Sequence, residues 1–555
     1  MIQKPLRCLA SALTAMALTA ALPTVSFAQQ TPEADTTTPI KHVVVIFDEN
    51  ISFDHYFGTY PHATNPAGVP QFHAKDDTPR VNNLLSGGLL DENPNSTQPF
   101  LLSRSEAVTC DQDHSYEPEQ AAFDKGLMDQ FPQQTGSGDA VVDGVPVPPG
   151  GSGYCFDAGK GPGIVMAYFD GNTVTALWNY AQHYAMSDNS FGTNFGPSSV
   201  GAINVISGNT CCATMLPFAA NGTTPGNPAG SIAGGVNNPA TTYGALIGDP
   251  RPGYDNCLLT PVLGVAKSTL ITMSGLNIGD LLNQKNVTWG WFAGGFAPTG
   301  KNADGSLACG AVSVGLASPG GYNDYIPHHE PFQYYKSTAN PNHLPPSNLA
   351  KIGKTDQANH QYDLSLFFTA LNEGRLPAVS YLKAKGAFDG HPGYSDPIDE
   401  QTWIVNTINA IQQSPYWKDT AIIIAYDDSD GWYDHAMDTV VSQSDSAGDD
   451  ALTGVGTCGA TPTGGTPGRC GYGPRLPLIV ISPYAKHNYV DHRLTDQSSI
   501  VRFIEDNWDL GRIGNGSLDV KAGTLNGFFD FDDKSKNHEL VLNPSTGEPI
   551  HPDID

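Results

Sequence analysis

Lys41-His42-Val43-Val44-Val45-Ile46-Phe47-Asp48-Glu49-Asn50 is the stretch from which the fold can be read. Its centre is an unbroken β-branched and aromatic run, too short for an ordinary helix and apolar on both faces. Buried parallel strands have that pattern. Three further runs resemble it: Ala378 to Leu382, which leads into Lys383-Ala384-Lys385; Ala421 to Tyr426, which leads into Asp427-Asp428-Ser429-Asp430-Gly431; and Leu476 to Ile481, which leads into Ser482-Pro483-Tyr484. Helical periodicity fits Leu364 to Asn372 and Gln401 to Gln412 between them. Strands alternating with helices predict an α/β fold, a mostly parallel central sheet with helices on both faces. Such sheets bind ligands beyond the carboxyl ends of their strands, so the residues that follow each run are the candidates for chemistry.

Glu49 and Asn50 follow the first run. A carboxylate beside a carboxamide can hold a hard cation through oxygen; equally, Glu49 can start a helix and Asn50 can cap it. Asp427 and Asp428 follow the best-defined run. Neighbouring carboxylates repel unless a cation or proton neutralises them, although an Asp-Asp pair in a solvated turn needs neither. In Phe195-Gly196-Pro197-Ser198-Ser199-Val200-Gly201 the Gly-Pro turn precedes a short apolar stretch that can open a helix, and a hydroxyl there lies near backbone N–H donors that suit phosphate. A Ser in contact with a metal becomes a nucleophile; without one it is a helix cap. Histidines occur in Asp111-Gln112-Asp113-His114-Ser115, Pro327-His328-His329-Glu330-Pro331-Phe332 and Gly390-His391-Pro392-Gly393. Imidazolium can bind a phosphoryl oxygen and donate a proton to a leaving alkoxide. Spacing alone does not bring the three together.

Composition narrows the partners. Residues 1–28 read as a secretory leader, with Lys4 and Arg7 before an apolar stretch and Val25-Ser26-Phe27-Ala28 as its exit. Removing it takes the net charge from −28 to −30. So acidic a chain argues against nucleic acid and against tight adhesion to anionic membranes. Residues 29–40 read as a linker and 41–555 as a single catalytic domain. Gly and Pro, at 60 and 43 residues, are spread through it, and the spans 135–163, 221–256 and 444–473 read as long loop insertions. Eight cysteines outside the leader suggest disulfides, with Cys458 and Cys470 a local pair and Cys211 and Cys212 expected to take different partners. No segment offers a membrane span. The expected location is secreted or periplasmic, and the oligomeric state is open.

Phe47-Asp48-Glu49-Asn50-Ile51-Ser52-Phe53-Asp54-His55-Tyr56-Phe57-Gly58 resembles the signature of secreted bacterial phosphoesterases, which include phosphatidylcholine-type phospholipases C and acid phosphatases within the alkaline-phosphatase-like superfamily. Six further motifs match in order: Asp113-His114; Gly196-Pro197-Ser198; His329-Glu330-Pro331-Phe332; Asn359-His360-Gln361-Tyr362-Asp363; His391-Pro392-Gly393; and Tyr426-Asp427-Asp428-Ser429-Asp430-Gly431-Trp432-Tyr433-Asp434-His435. The resemblance implies an alkaline-phosphatase-like sheet. It implies metal ligation by Glu49, Asn50, Ser198, Asp427 and Asp428, with Ser198 as nucleophile. It also implies phosphate contact and proton donation by His114, His329 and His391, with Asn50 touching the phosphoryl group.

Three departures bear on the subfamily. The phospholipase branch places Thr and then Phe-Pro-Asn-Arg at the nucleophile turn, where this chain has Ser198-Ser199-Val200-Gly201-Ala202. Ile51 stands where the signature has Arg. The chain stops soon after the last motif, without the long C-terminal extension of many phospholipases. These favour an acid phosphatase acting on phosphomonoesters, with phospholipase C as the alternative. A third reading is a binding protein that captures phosphorylated ligands without turnover. The all-oxygen donor set suits one divalent ion, with Ca²⁺, Mg²⁺, Mn²⁺ and Zn²⁺ all open.

Overall fold

Every residue of β1 (His42–Asp48) is buried, as the apolar run at 43–47 predicts. A computed structural model describes residues 1, 35–137, 141–142, 145–146, 158–216, 236–237, 244–246, 248–259, 270–303, 305–442, 450–452, 458, 468–532 and 539–550. The leader reading of residues 1–28 therefore lies outside the described residues apart from Met1, as do parts of the three predicted insertions. Residues from 35 onward form one unit by their contacts.

Seven further strands join β1 in the main sheet: β2 (Ala185–Ser187), β3 (Trp289–Ala293), β4 (Gln361–Asp363), β5 (Val379–Lys383), β6 (Thr420–Tyr426), β7 (Leu478–Ile481) and β8 (Tyr489–Asp491). Their spatial order is β4-β3-β5-β1-β6-β7-β2-β8. β1 lies parallel to β5 on one side, with Ile46 opposite Leu382, and parallel to β6 on the other, with Asp48 opposite Tyr426. The carboxyl ends of β5, β1 and β6 are therefore side by side.

β7 runs antiparallel to both of its neighbours. A central strand is covered on both faces whichever way it runs, so the apolar run at 476–481 carries no direction.

Alternate residues of β1 enter opposite cores. Val43, Val45 and Phe47 pack with residues of α3 (Ser198–Ser207), α4 (Ile278–Gln284) and α7 (Ser498–Asn507). Val44 and Ile46 pack with residues of α2 (Thr175–His183), α5 (Ser365–Asn372) and α6 (Pro397–Gln412). Helices thus cover both faces, and each buried Val, Ile or Phe contributes about 1.5–3 kcal/mol by leaving water. α6 begins at Pro397, four residues before its apolar periodicity. Its first turn is Pro-Ile-Asp-Glu, capped by Asp396, which accepts from the N–H groups of Ile398 and Asp399.

A smaller five-stranded sheet contains Cys211–Met215, Val236–Asn237, Gly244–Leu246, Arg251–Pro252 and Leu270–Met273. Disulfides join Cys257 to Cys309 and Cys458 to Cys470, the second being the predicted local pair. Cys211 and Cys212 are bonded to each other, with their Cα atoms 3.1 Å apart. This corrects the expectation of separate partners: Cys257, Cys309, Cys458, Cys470 and Cys110 are all engaged in disulfides of their own. Among the described residues no helix is long and apolar enough to cross a membrane.

Candidate active site

Beyond β1 the chain turns sharply at Asn50, which has φ 50°. Asparagine tolerates this left-handed region better than most residues. The turn is tied to β6: the Asn50 N–H donates to Asp427 Oδ1 at 2.9 Å, and the Ile51 N–H donates to the Asp428 carbonyl at 2.9 Å. Ser52 then caps the short helix α1 (Phe53–Phe57). Glu49, Asn50, Asp427 and Asp428 are each at most 3% exposed.

Helix α3 delivers Ser198 as its first residue, with Pro197 rather than either serine at the cap. Gly201 lets this helix lie against the end of β6. A Cβ there would sit 2.0 Å from the Asp427 carbonyl oxygen. Glu119 ties the turn before Ser198 to the same loop, accepting from the Gly196 N–H at 2.9 Å and the Ser429 hydroxyl at 2.8 Å. Its burial pushes the carboxyl up to about 8.

Ser198 Oγ consequently has Glu49 Oε2 at 3.1 Å, Asp428 Oδ2 at 3.2 Å and Asn50 Oδ1 at 3.4 Å. A hydroxyl carries one hydrogen and can satisfy only one of these three acceptors. Asp427 uses Oδ1 on the N–H groups of Asn50 and Asp428, while its Oδ2 is buried without a hydrogen-bond partner. Burial, then Asp427, pushes both Glu49 and Asp428 well above the usual carboxylate range. Converging oxygens, too few protons and an orphaned carboxylate oxygen are what a hard divalent cation would satisfy. The residues present fit such an ion.

The three predicted histidines reach this place from three separate segments, His329 as the last residue of the short 3-10 helix Pro327–His329. His114 comes beside the Asp427–Gly431 loop because Gly431, at φ 71°, admits the Asp113 carbonyl to within 2.6 Å of where a Cβ would stand. Its Nδ1 is 2.9 Å from the Gln112 carbonyl, and its Nε2 is 3.3 Å from Asn50 Nδ2. The second contact joins two nitrogens and so suits a neutral ring. Against burial, however, Asp428, Asp430 and Asp111 raise the ring well above its ordinary value, and those charges outweigh a 3.3 Å contact. His391 donates from Nδ1 to the Pro392 carbonyl at 2.6 Å, and its ring centre is 5.9 Å from that of His114. His329 Nδ1 is 3.1 Å from Glu49 Oε1. Burial, reinforced by His114 for His391 and by His328 and Lys383 for His329, holds both rings well below the ordinary value.

Two groups here had no assigned role in the sequence reading. Lys383, the last residue of β5, is 3% exposed, and its ammonium is paired with Glu49 Oε1. Asp389, fully buried, accepts from the His391 N–H at 3.2 Å and lies 3.9 Å from Lys383 Nζ; burial raises it to about 7, with Lys383 opposing. The available signal was a lysine closing an otherwise uncharged buried strand, Val-Ser-Tyr-Leu-Lys. His360, part of a recognised motif, lies elsewhere: it stacks on Trp289 at 4.3 Å and donates to that residue's carbonyl.

A sequence model described as the phosphoesterase family matches residues 40–511. The chain belongs to the phosphoesterase family. A non-hemolytic phospholipase C of Pseudomonas aeruginosa is 32% identical over 145 residues, which are 24% of this chain and 20% of that one. The aligned stretch thus spans a fifth of that relative. Non-specific phospholipase C3 of Arabidopsis thaliana is 22% identical over 82% of this chain and 65% of its own. A solved alkaline phosphatase superfamily protein of Vibrio parahaemolyticus aligns over 61% of this phosphoesterase and 62% of itself, at 12% identity and a TM-score of 0.25. The fold class rests on the sheet itself.

Proposed function

We propose that this phosphoesterase hydrolyses phosphomonoesters through a phosphoserine formed on Ser198. The observation that carries the reading is the Ser198 hydroxyl, set at the start of a ten-residue helix and faced by Glu49, Asn50 and Asp428. A divalent ion held by Glu49, Asn50, Asp427, Asp428 and Ser198 would acidify that hydroxyl and offset charge on the phosphoryl oxygens. Ca²⁺, Mg²⁺, Mn²⁺ and Zn²⁺ all accept such oxygen ligands.

Ser198 Oγ attacks phosphorus, the P–O bond to the alcohol breaks, and a histidine proton goes to the departing oxygen. Water then cleaves the phosphoserine and restores the hydroxyl. His114, drawn towards the charged form, suits a phosphoryl oxygen, and the Asn50 amide lies beside it. His329 and His391 suit the proton transfers. Because burial depresses these two rings, they hold a proton only on the acid side of the ordinary imidazole value of about 6.5, so turnover should fall as pH rises. The disulfides and the leader-like residues 1–28 support an exported enzyme.

A second reading, phospholipase C, is favoured by the relatives and by one surface feature. Strands Val312–Ser313 and Tyr322–Asn323 form a hairpin in a charge-free stretch, residues 305–323. Val312, Val314 and Leu316 are 60%, 63% and 54% exposed. Tyr322 stacks on Tyr394 at 4.0 Å, and Tyr394 on His391 at 4.3 Å, which puts this apolar strip near the site.

The test is hydrolysis of p-nitrophenyl phosphate and of phosphatidylcholine vesicles, from acid to alkaline pH, by the metal-loaded protein and Ser198→Ala. The expected result is faster monoester turnover on the acid side and a loss of three orders of magnitude or more in the variant, on the order seen for other nucleophile deletions. Faster lipid turnover would select the second reading. Turnover unchanged in Ser198→Ala would remove the proposed mechanism.

A further inference from the structure

The helix Tyr116–Phe123 follows His114 after one capping residue, Ser115, and buries Glu119, which is 1% exposed. The two oxygens of Glu119 go to two different elements. Oε2 accepts from the Gly196 N–H at 2.9 Å, in the turn that delivers Ser198, and Oε1 accepts from the Ser429 hydroxyl at 2.8 Å, next to Asp428. Ser429 Oγ in turn accepts from the Gly431 N–H at 3.0 Å, and Gly431 is the residue that admits the Asp113 carbonyl beside His114. One buried carboxyl therefore bridges the segments that carry Ser198, the Asp427–Asp428 pair and His114. The turn has other anchors on either side of Gly196. The Phe195 N–H donates to the Cys470 carbonyl at 3.0 Å, and the Ser199 N–H donates to Asp249 Oδ1 at 2.9 Å. Those hold the turn to the rest of the fold, whereas Glu119 ties the residue between them to the acid loop.

We propose that Glu119 is a positioning residue for phosphoryl transfer, the length of its side chain setting the Ser198 hydroxyl against Asp428. The inference rests on the reading of Ser198 as the nucleophile. Glu119 acts only through the Gly196 N–H and the Ser429 hydroxyl, and the property it supplies is span rather than charge. Burial favours its neutral acid, in which Oε1 donates to Ser429 Oγ instead of accepting from it, and the bridge keeps its length. Glutamine imitates that form, with the amide oxygen on the Gly196 N–H and the amide NH₂ on Ser429 Oγ. Aspartate keeps the carboxyl but is one methylene shorter, and it cannot hold both partners where they stand. A nucleophile displaced by about 1 Å can lose about a hundredfold in rate.

The test is single-turnover phosphorylation of Ser198 by p-nitrophenyl phosphate in wild type, Glu119→Gln, Glu119→Asp and Glu119→Ala. The proteins are matched for bound metal by elemental analysis, and the inhibition constant of inorganic phosphate is measured alongside. Glu119→Gln should stay within about threefold of wild type, while Glu119→Asp and Glu119→Ala should phosphorylate about tenfold to a hundredfold more slowly with phosphate affinity changed less than about threefold. A merely structural role would lower the melting temperature of Glu119→Asp and leave the rate of the folded enzyme unchanged, and that result overturns the proposal. Glu119→Gln as slow as Glu119→Asp also overturns it, because charge would then be the property that acts. Should the aspartate and alanine variants not fold, Ser429→Ala decides in their place, since it cuts one arm of the bridge and leaves the carboxyl. Slower phosphorylation of Ser198 in that variant supports the proposal, and an unchanged rate overturns it. A wild type that carries no phosphate on Ser198 refutes the nucleophile reading itself, whereas a phosphorylated wild type with an unresponsive Glu119→Asp refutes the role of Glu119 alone.

Discussion

The two acidic motifs that build the candidate site also build a second buried cluster, and the two differ in one respect. Residues 49–50 and 427–428 gather Glu49, Asn50, Asp427 and Asp428 around Ser198. A few residues further along the same segments, Asp54, Asp434 and His435 gather around Arg475. In that second cluster the charges are answered from within the chain. The Arg475 guanidinium donates to Asp434 Oδ1 at 3.1 Å and to Asp54 Oδ1 at 3.2 Å, and also to the Asn82 and Asp188 carbonyls at 2.8 Å. His435 Nδ1 meets Asp54 Oδ2 at 2.5 Å. The guanidinium also lies over the Phe53 ring at 4.3 Å.

In the candidate site, by contrast, Lys383 faces several carboxylates, and both oxygens of Asp48 and Oδ2 of Asp427 are buried without hydrogen-bond partners. Buried acids that crowd together without hydrogen-bond partners call for a proton or a cation. The satisfied cluster holds the two motifs together; the unsatisfied one is the site proposed for a cation and a phosphoryl group.

Arg475→Met breaks the comparison most severely. It leaves Asp54 and Asp434 buried without their cation and should destabilise the protein by about 3–5 kcal/mol. Denaturant unfolding of metal-stripped protein checks this, and a loss below 1 kcal/mol would mean the cluster is not structural. Asp428→Asn acts in the opposite sense. It removes a charge that burial and Asp427 already disfavour, so metal-stripped protein should be stabilised by about 1 kcal/mol, while divalent-ion affinity falls by at least about tenfold. Stability loss on the scale of Arg475→Met would erase the distinction between the clusters.

The smallest effect is a pH dependence. Burial opposes the charged form of His435, but Asp54 more than offsets it and raises the ring; burial would raise Asp54, yet His435 and Arg475 hold it low. The stability that His435 gains from its raised value is complete below the unfolded value of about 6.5 and is lost as pH rises through the folded one. Asp54 contributes above its unfolded value of about 3.9 and loses that contribution as pH falls through its lowered folded value. The stability difference between wild type and His435→Gln should therefore be constant in mildly acid solution and shrink at alkaline pH. A difference that grows with pH contradicts the pairing.

Much of this contrast is legible in the chain, but not all of it. Apolar runs ending in Asp48-Glu49-Asn50 and Asp427-Asp428 specify strands that deliver acids to a sheet edge, and the Gly-Pro turn before Ser198 specifies a helix start. What pairs with each acid is set by tertiary structure. Arg475 and Lys383 lie about 421 and 334 residues from Asp54 and Glu49, and local patterning carries no information over such separations. Lys383 and Lys385 look alike in sequence, yet the first is buried on Glu49 and the second sits half-exposed on Asp324. The direction of β7 and the Cys211–Cys212 bond escaped for the same reason: an apolar run has no polarity, and a pair of adjacent cysteines does not name its partners.

The most direct measurement is of the covalent intermediate. The metal-loaded enzyme is mixed with p-nitrophenyl phosphate, quenched in acid during turnover, digested and mapped by mass spectrometry. Phosphate on Ser198, absent in Ser198→Ala, is the predicted result. Phosphate on a histidine instead, or steady turnover with no phosphorylated peptide, would contradict the account.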